Sequence, residues 1–154
     1  MKQRLYLDTS VFGEYYDKEF SEQTIPLFNR IKNGEFILLY SAITQDELEN
    51  APQNIKDLPN AIDLNHREFL TPATEEVELA KKYIDEKVVG KTSYADCLHI
   101  ALATVHKADY LVSWNFKHIV NVQRIQNYNS INLKNGYKFL EIRSPREFVY
   151  YEDT

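Results

Sequence analysis

Two observations predict an α/β chain built on a mainly parallel sheet. Short apolar runs (RLYL, FILLY and YLVS) alternate along the sequence with stretches of helical period. The isolated polar residues Asp8, Glu47, Asp96 and Asn115 fall just past such runs or in the first turn of a helix. In a parallel sheet those positions share the carboxyl edge, where ligands bind. The 154 residues fit a single domain, 1–154, large enough to bury roughly 70 per cent of the unfolded surface.

Taken in order, Arg4 to Leu7 reads as a first strand ending in Asp8, followed by the hydroxyls of Thr9 and Ser10. Phe12-Gly13 opens a loop rich in acids and tyrosines. A helix from about Ser21 carries Leu27, Phe28 and Ile31 inward and stops at Asn33-Gly34, a pair suited to a helix C-terminus. Phe36 to Tyr40 is a second buried strand, and Thr44-Gln-Asp-Glu47 opens the next helix. Asn50 to Asn60, interrupted by Pro52 and Pro59, is a broken helical connection, and AIDLNH is a short amphipathic piece before it meets a third strand, Arg67 to Leu70. Thr74 to Asp85 is a surface helix with acids in its first turn and Val77, Leu79, Ala80 and Tyr83 inward. Gly90-Lys91 marks a loop. The central buried helix spans about Ser93 to Lys107, with Asp96 its only acid. Tyr110 to Ser113 is a strand that runs into Asn115, a further helix passes through Ile119, Val122 and Ile125, and Lys138 to Ile142 is the last strand.

Composition limits the classes available. One cysteine excludes an intramolecular disulfide and suits a reducing compartment. MKQRLYLD does not read as a signal peptide, and no run approaches the roughly 20 apolar residues of a membrane span. These features lead us to expect a cytoplasmic protein. The net charge of -5 is unevenly spread. Met1 to His106 holds 11 basic and 18 acidic residues, whereas Lys107 to Arg146 holds 7 basic and 2 acidic. A basic third suffices to hold a polyanion on an acidic protein, although an ordinary solvated face has the same composition.

The chemistry turns on the acids. Three carboxylates within about 4 to 6 Å would repel by about 3 to 4 kcal/mol per pair at an effective dielectric near 20, so that a cation or a proton must join them. Oxygen ligands without His or Cys favour Mg²⁺ or Mn²⁺, and phosphodiester hydrolysis is the reaction such a cluster suits. The plainer reading is that Glu47 and Asp96 complete capping boxes, Thr44-x-x-Glu47 and Ser93-x-x-Asp96. Asp8, at a strand end, caps nothing evident in the sequence. Asp46 and Glu49 flank Glu47, and spacing alone leaves open which of the three faces the edge. His99 and His106, seven apart, lack metal-ligand spacing and read as packing or rim residues, and Cys97 reads as a small core residue.

LDTSVF around Asp8, TQDELENA around Glu47, ADCLHIALAT around Asp96 and LVSWNFKHI around Asn115 together resemble the PIN-domain nucleases, in particular the VapC type of toxin-antitoxin modules. The resemblance spans nearly the whole chain. It implies a compact α/β/α sandwich and a Mg²⁺- or Mn²⁺-dependent endoribonuclease that leaves a 5′-phosphate and a 3′-hydroxyl. It also implies a homodimer and a small antitoxin partner whose tail enters the acidic crevice. Carried over by position, Asp8, Glu47, Asp96 and Asn115 are the catalytic and metal-ligating residues, and Thr9 or Ser10 is the hydroxyl that assists the first acid. Many relatives have Asp at the fourth position, or Asn with a further Asp three residues on. This chain has Asn115 and then His118, which removes a charge from the second metal position.

Substrate contacts are expected from Thr9, Ser10, Lys117, His118 and Arg124, with the segment from Arg124 to Tyr137 either holding flanking nucleotides by phosphate contacts and stacking or forming an ordinary surface loop. Two other classes beginning with a strand that ends in Asp lack required residues. A haloacid-dehalogenase type of phosphatase needs a second Asp where Ser10 stands, and a phosphoacceptor receiver needs an acidic pair where only Asp8 is found. The competing reading from another class is a catalytically weak PIN-like module that binds RNA or a protein partner, and Asn115 is the residue that favours it.

Overall fold

The computed structural model describes residues 1–87 and 92–149; the loop expected at Gly90-Lys91 lies outside them. Five parallel strands form one sheet in the order β3-β2-β1-β4-β5. They are β1 (Gln3–Leu7), β2 (Phe36–Ser41), β3 (Arg67–Leu70), β4 (Tyr110–Val112) and β5 (Glu141–Arg143). The helices are α1 (Thr9–Gly13), α2 (Ser21–Lys32), α3 (Ala42–Glu47), α4 (Gln53–Lys56), α5 (Thr74–Asp85), α6 (Tyr94–Val105) and α7 (Val122–Lys134).

Period-2 alternation divides the core into two. Leu5 and Leu7 of β1 face one layer with Leu38, Val112, Phe12, Leu27 and Phe28, while Tyr6 faces the other with Leu39, Leu111, Leu79, Ile100 and Tyr128. The chain steps outward from β1 to β3, returns beside β1 as β4, and steps outward the other way. Right-handed crossovers therefore place α5, α6 and α7 on the face opposite α2. The expected α/β/α sandwich is found, and the point where strand order reverses lies between β1 and β4. Their register sets Leu7 beside Val112, so the residues that leave these two strands emerge side by side.

Local sequence accounts for most boundaries. β3 and α5 start and end where pattern predicts. α2 closes through Asn33 into Gly34 at φ 81°, where a Cβ would come within 3.2 Å of the His66 ring. Ser93 caps α6 by accepting from Asp96 N at 3.1 Å, and Cys97 to Thr104 are all buried, as expected of a central helix.

Several segments differ from expectation. The loop expected after Phe12 begins later, because α1 occupies Thr9–Gly13. α3 starts at Ala42 under Ser41, so Glu47 is its last residue and not a first-turn cap partner of Thr44. The segment expected to offer stacking surface is largely α7, in which Tyr128, Asn129, Ile131 and Asn132 are buried and Tyr137 beyond it is tied to Glu75. Tyr128 is thus a core residue and not a stacking platform.

The last strand is displaced to Glu141–Arg143 because Leu140 is claimed by α7. Asn129 Nδ2 donates to Leu140 O at 3.0 Å, and Leu140 N donates to Asn129 Oδ1 at 2.6 Å. This amide holds the approach to β5 as a neighbouring strand would. Asn129→Ala leaves both Leu140 backbone groups buried without partners, and a loss of about 2 to 4 kcal/mol in urea unfolding is expected; a loss below about 1 kcal/mol would show that the segment rearranges to satisfy them.

Candidate active site

Asp8 follows β1 and is the N-cap of α1, correcting the expectation that it caps nothing. The sequence hid this role because the helix it caps has only five residues. Its carboxylate is 3% exposed. Oδ1 accepts from Ser10 N at 3.1 Å and Ser10 Oγ at 2.6 Å, and Oδ2 accepts from Ser113 Oγ at 2.6 Å. Ser113, fully buried at the end of β4, also accepts from Asn115 N at 2.9 Å. Ser10 Oγ in turn accepts from Trp114 N at 2.9 Å. Two hydroxyls thus fasten the acid of one strand to the backbone leaving the other. Ser113 was missed in the sequence, where it reads as the last residue of an apolar run.

Burial raises the Asp8 carboxyl above its ordinary pKa, with His99, Ser10 and Ser113 opposing and the negative charge of Asp96 adding to the rise. Asp96 is therefore near enough to repel Asp8. It is half-buried in the first turn of α6, and among the described residues no donor bonds to its carboxylate. The Ser93 half of the expected capping box forms, and the carboxylate half does not.

Glu47 is the acid of its segment that reaches this edge, while Glu49 lines a separate cleft with Tyr40, Leu48 and Lys56. Glu47 Oε1 accepts from Thr9 Oγ1 at 2.7 Å and from His99 Nε2 at 2.7 Å. The His99 bond chiefly, and that of Thr9, hold the Glu47 carboxyl below its ordinary pKa. His99 is 2% exposed and belongs to this network, correcting its reading as a packing or rim residue. Nothing in its spacing could have shown this, since its partners come from α1 and α3.

The other expected residues take distinct places. Thr9 and Ser10, expected to touch substrate, have their hydroxyls committed to Glu47 and Asp8. Asn115 is half-buried, and its Oδ1 accepts from His118 N at 2.9 Å, closing the turn after β4. Lys117 is exposed and His118 half-buried on that turn. Arg124, on α7, donates to Thr92 Oγ1 beside the start of α6. Its positive charge and the negative charge of Asp96 both act on Cys97 and Tyr128, which places the pair in one neighbourhood.

The three acids do not gather into a ready cage: among the described residues, no three His, Cys, Asp or Glu side chains are placed to hold a metal ion. Glu47 has turned to His99 instead. The donor set still fits a hard divalent ion, because Mg²⁺ is commonly held through one or two carboxylates with water and substrate phosphate completing its shell. Asp8 and Asp96, mutually repelling and oxygen-only, are such a pair.

A buried, raised carboxyl opposes folding once ionised. That cost is absent below the ordinary carboxylate range and grows as pH rises from there towards the folded-state pKa. In chelator at pH 7, Asp8→Asn should therefore be more stable than the parent by about 0.5 to 2 kcal/mol, with the gap closing in acid. A lower urea midpoint for the variant at pH 7 would show that the three hydrogen bonds outweigh the burial.

Comparison with known proteins places this geometry in a family. No curated protein sequence matches the chain. Solved structures do, among them VapBC2 from Rickettsia felis bound to a DNA fragment from its promoter, 18% identical with a TM-score of 0.56 over 92% of this chain and 98% of that one. DNA-bound VapBC from Salmonella typhimurium is similar at 15% identity and TM-score 0.57, over 94% and 99%. VapBC-1 from nontypeable Haemophilus influenzae is similar at 18% and 0.57, over 94% and 99%. At such identities the likeness is one of fold. The sequence model of the PIN domain matches residues 5–117, a span that opens in β1, takes in Asp8, Glu47 and Asp96 and closes just past Asn115, and the chain therefore belongs to the PIN domain family.

Proposed function

We propose that the protein is a metal-dependent endoribonuclease, the toxin of a toxin-antitoxin module, acting in the cytoplasm. The observation that carries this reading is the pair Asp8 and Asp96 at the reversal of strand order, where Asp96 has no hydrogen-bond donor among the described residues. A carboxylate left unpaired beside another carboxylate in a ligand crevice is costly for folding alone. No helix among the described residues is long and apolar enough to cross a membrane.

Asp8 and Asp96 would hold Mg²⁺ or Mn²⁺, which supplies Lewis-acid polarisation of the phosphodiester and favours ionisation of water. Ser10 and Ser113 fix the Asp8 carboxylate so that it need not reorganise. Glu47, ionised and held at Oε1, presents Oε2 to orient the attacking water and receive its proton. Asn115 completes this edge through its side-chain amide. Lys117, His118 and Arg124 neutralise the phosphates that flank the scissile bond. The products would be a 5′-phosphate and a 3′-hydroxyl. A small antitoxin would cover the crevice, as VapB accompanies VapC in the similar structures, and two copies of the chain would form a homodimer.

A second reading, a PIN-like module that binds RNA or a partner with little hydrolysis, is favoured by Asn115, which brings no charge and whose oxygen already serves His118.

Cleavage of total cellular RNA by the purified protein in Mn²⁺, beside a chelator control and Asp96→Asn, separates the two. Discrete fragments that require both the metal and Asp96 are expected; intact RNA in every lane, from folded protein free of inhibitor, would establish the binding module instead. Replacing Lys117 and Arg124 together with Ala should reduce the slope of log affinity for RNA against log salt by roughly 1 to 2, and an unchanged slope would remove these residues from the phosphate contacts.

A further inference from the structure

His99 lies three residues beyond Asp96 on α6 and so projects from the same helical face, one turn deeper. Its two ring nitrogens meet different partners. Nε2 is 2.7 Å from Glu47 Oε1, and Nδ1 is 2.7 Å from the hydroxyl of Tyr6. Tyr6 is fully buried on β1, and its hydroxyl also pairs with the buried Ser41 Oγ at 2.8 Å. Residues of β1, β2, α3 and α6 are thereby joined in one file that starts beneath the sheet edge and ends at the candidate site.

Proton counting fixes the end of the file at Glu47. An ionised carboxylate can only accept, so His99 Nε2 carries the hydrogen shared with Glu47. Tyr6 donates its one hydroxyl hydrogen to Ser41 Oγ, and its oxygen lies 2.7 Å from His99 Nδ1. These bonds join Ser41, Tyr6, His99 and Glu47 in one file. At its end Glu47 Oε1 receives two hydrogens, from His99 and from Thr9, itself 3.2 Å from Thr44 Oγ1. Glu47 needs such a tether, because it is the last residue of a six-residue helix and its side chain is 39% exposed.

We propose that His99 is a positioning residue for the nuclease reaction, in series with Tyr6 and Ser41: it fixes the Glu47 carboxylate by one oxygen so that the other faces the attacking water. The inference rests on the nuclease reading for its effect on rate, and on geometry alone for the hydrogen bonds that join the four residues.

Three variants test it. Against a defined RNA oligonucleotide in Mn²⁺, His99→Leu should lower kcat roughly 10- to 100-fold, the usual effect of losing a partner that orients an active-site ligand, with KM changed less than about 3-fold. His99→Gln, whose amide restores a donor near the Nε2 position, should recover most of that loss. Tyr6→Phe, which keeps the ring and removes only the hydroxyl, supplies the same test should His99→Leu fail to fold, and should also lower kcat. Full kcat in folded His99→Leu or in Tyr6→Phe would overturn the proposal.

Nitrogen-15 spectra of the His99 ring in the metal-free protein give a second readout. The hydrogen on Nε2 is expected, with the Nδ1 resonance shifting in Tyr6→Phe; a hydrogen resting on Nδ1 alone would overturn the file whatever the activity. If the parent protein cuts no RNA, the nuclease reading fails, and the ring spectra still decide whether Nε2 carries the hydrogen that holds Glu47.

Discussion

Asp8 is a carboxylate almost removed from water and answered by three donors, from a backbone amide, Ser10 and Ser113. Nearly everything that defines the candidate site follows from meeting that requirement. Ser10 reaches it locally from the first turn of α1, but Ser113 reaches it only because β1 and β4 are neighbours in register, and that adjacency exists only because strand order reverses between them. The same hydroxyls receive the amides of Trp114 and Asn115, so the path of the chain after β4 is set by the acid after β1. A neutral residue at position 8 would relieve the burial and leave these serines with no anion to serve. This is the usual tension between a stable core and a site that must hold charge.

The acids divide by environment. Asp8 is enclosed and its carboxyl raised, whereas Glu47 is partly exposed and its carboxyl lowered by His99. Carboxylates held apart in this way can take different roles in one reaction. Asp96 stands between them in character, half-buried and without a hydrogen-bond donor among the described residues. Such an arrangement is incomplete as pure structure.

Much of this was legible in the sequence, and the exceptions have physical causes. Apolar runs and their spacing gave the strands and the two long amphipathic helices because burial dictates both. Position at strand ends gave Asp8, and fold geometry carried it to the carboxyl edge. Glu47 was placed at the wrong end of its helix because two hydroxyl residues, Ser41 and Thr44, could each begin it, and only packing chose Ser41. His99 and Ser113 were not recognised because their partners lie 52 and 105 residues away, distances over which no local pattern carries information. Asn129 and Asn132, within the segment expected to meet flanking nucleotides, are both buried and spend their amides on backbone and side-chain partners distant in sequence. Long-range polar pairing is where pattern reading ends.

The separation of 105 residues between Asp8 and Ser113 also has a consequence in time. During synthesis the first strand leaves the ribosome long before β4 exists, and until β4 docks, Asp8 lacks the hydroxyl and the neighbouring strand that set its geometry. A chain emerging from the exit tunnel therefore carries Asp8 and Glu47 unassembled until β4 has followed them. The candidate site assembles only after Ser113 has left the tunnel.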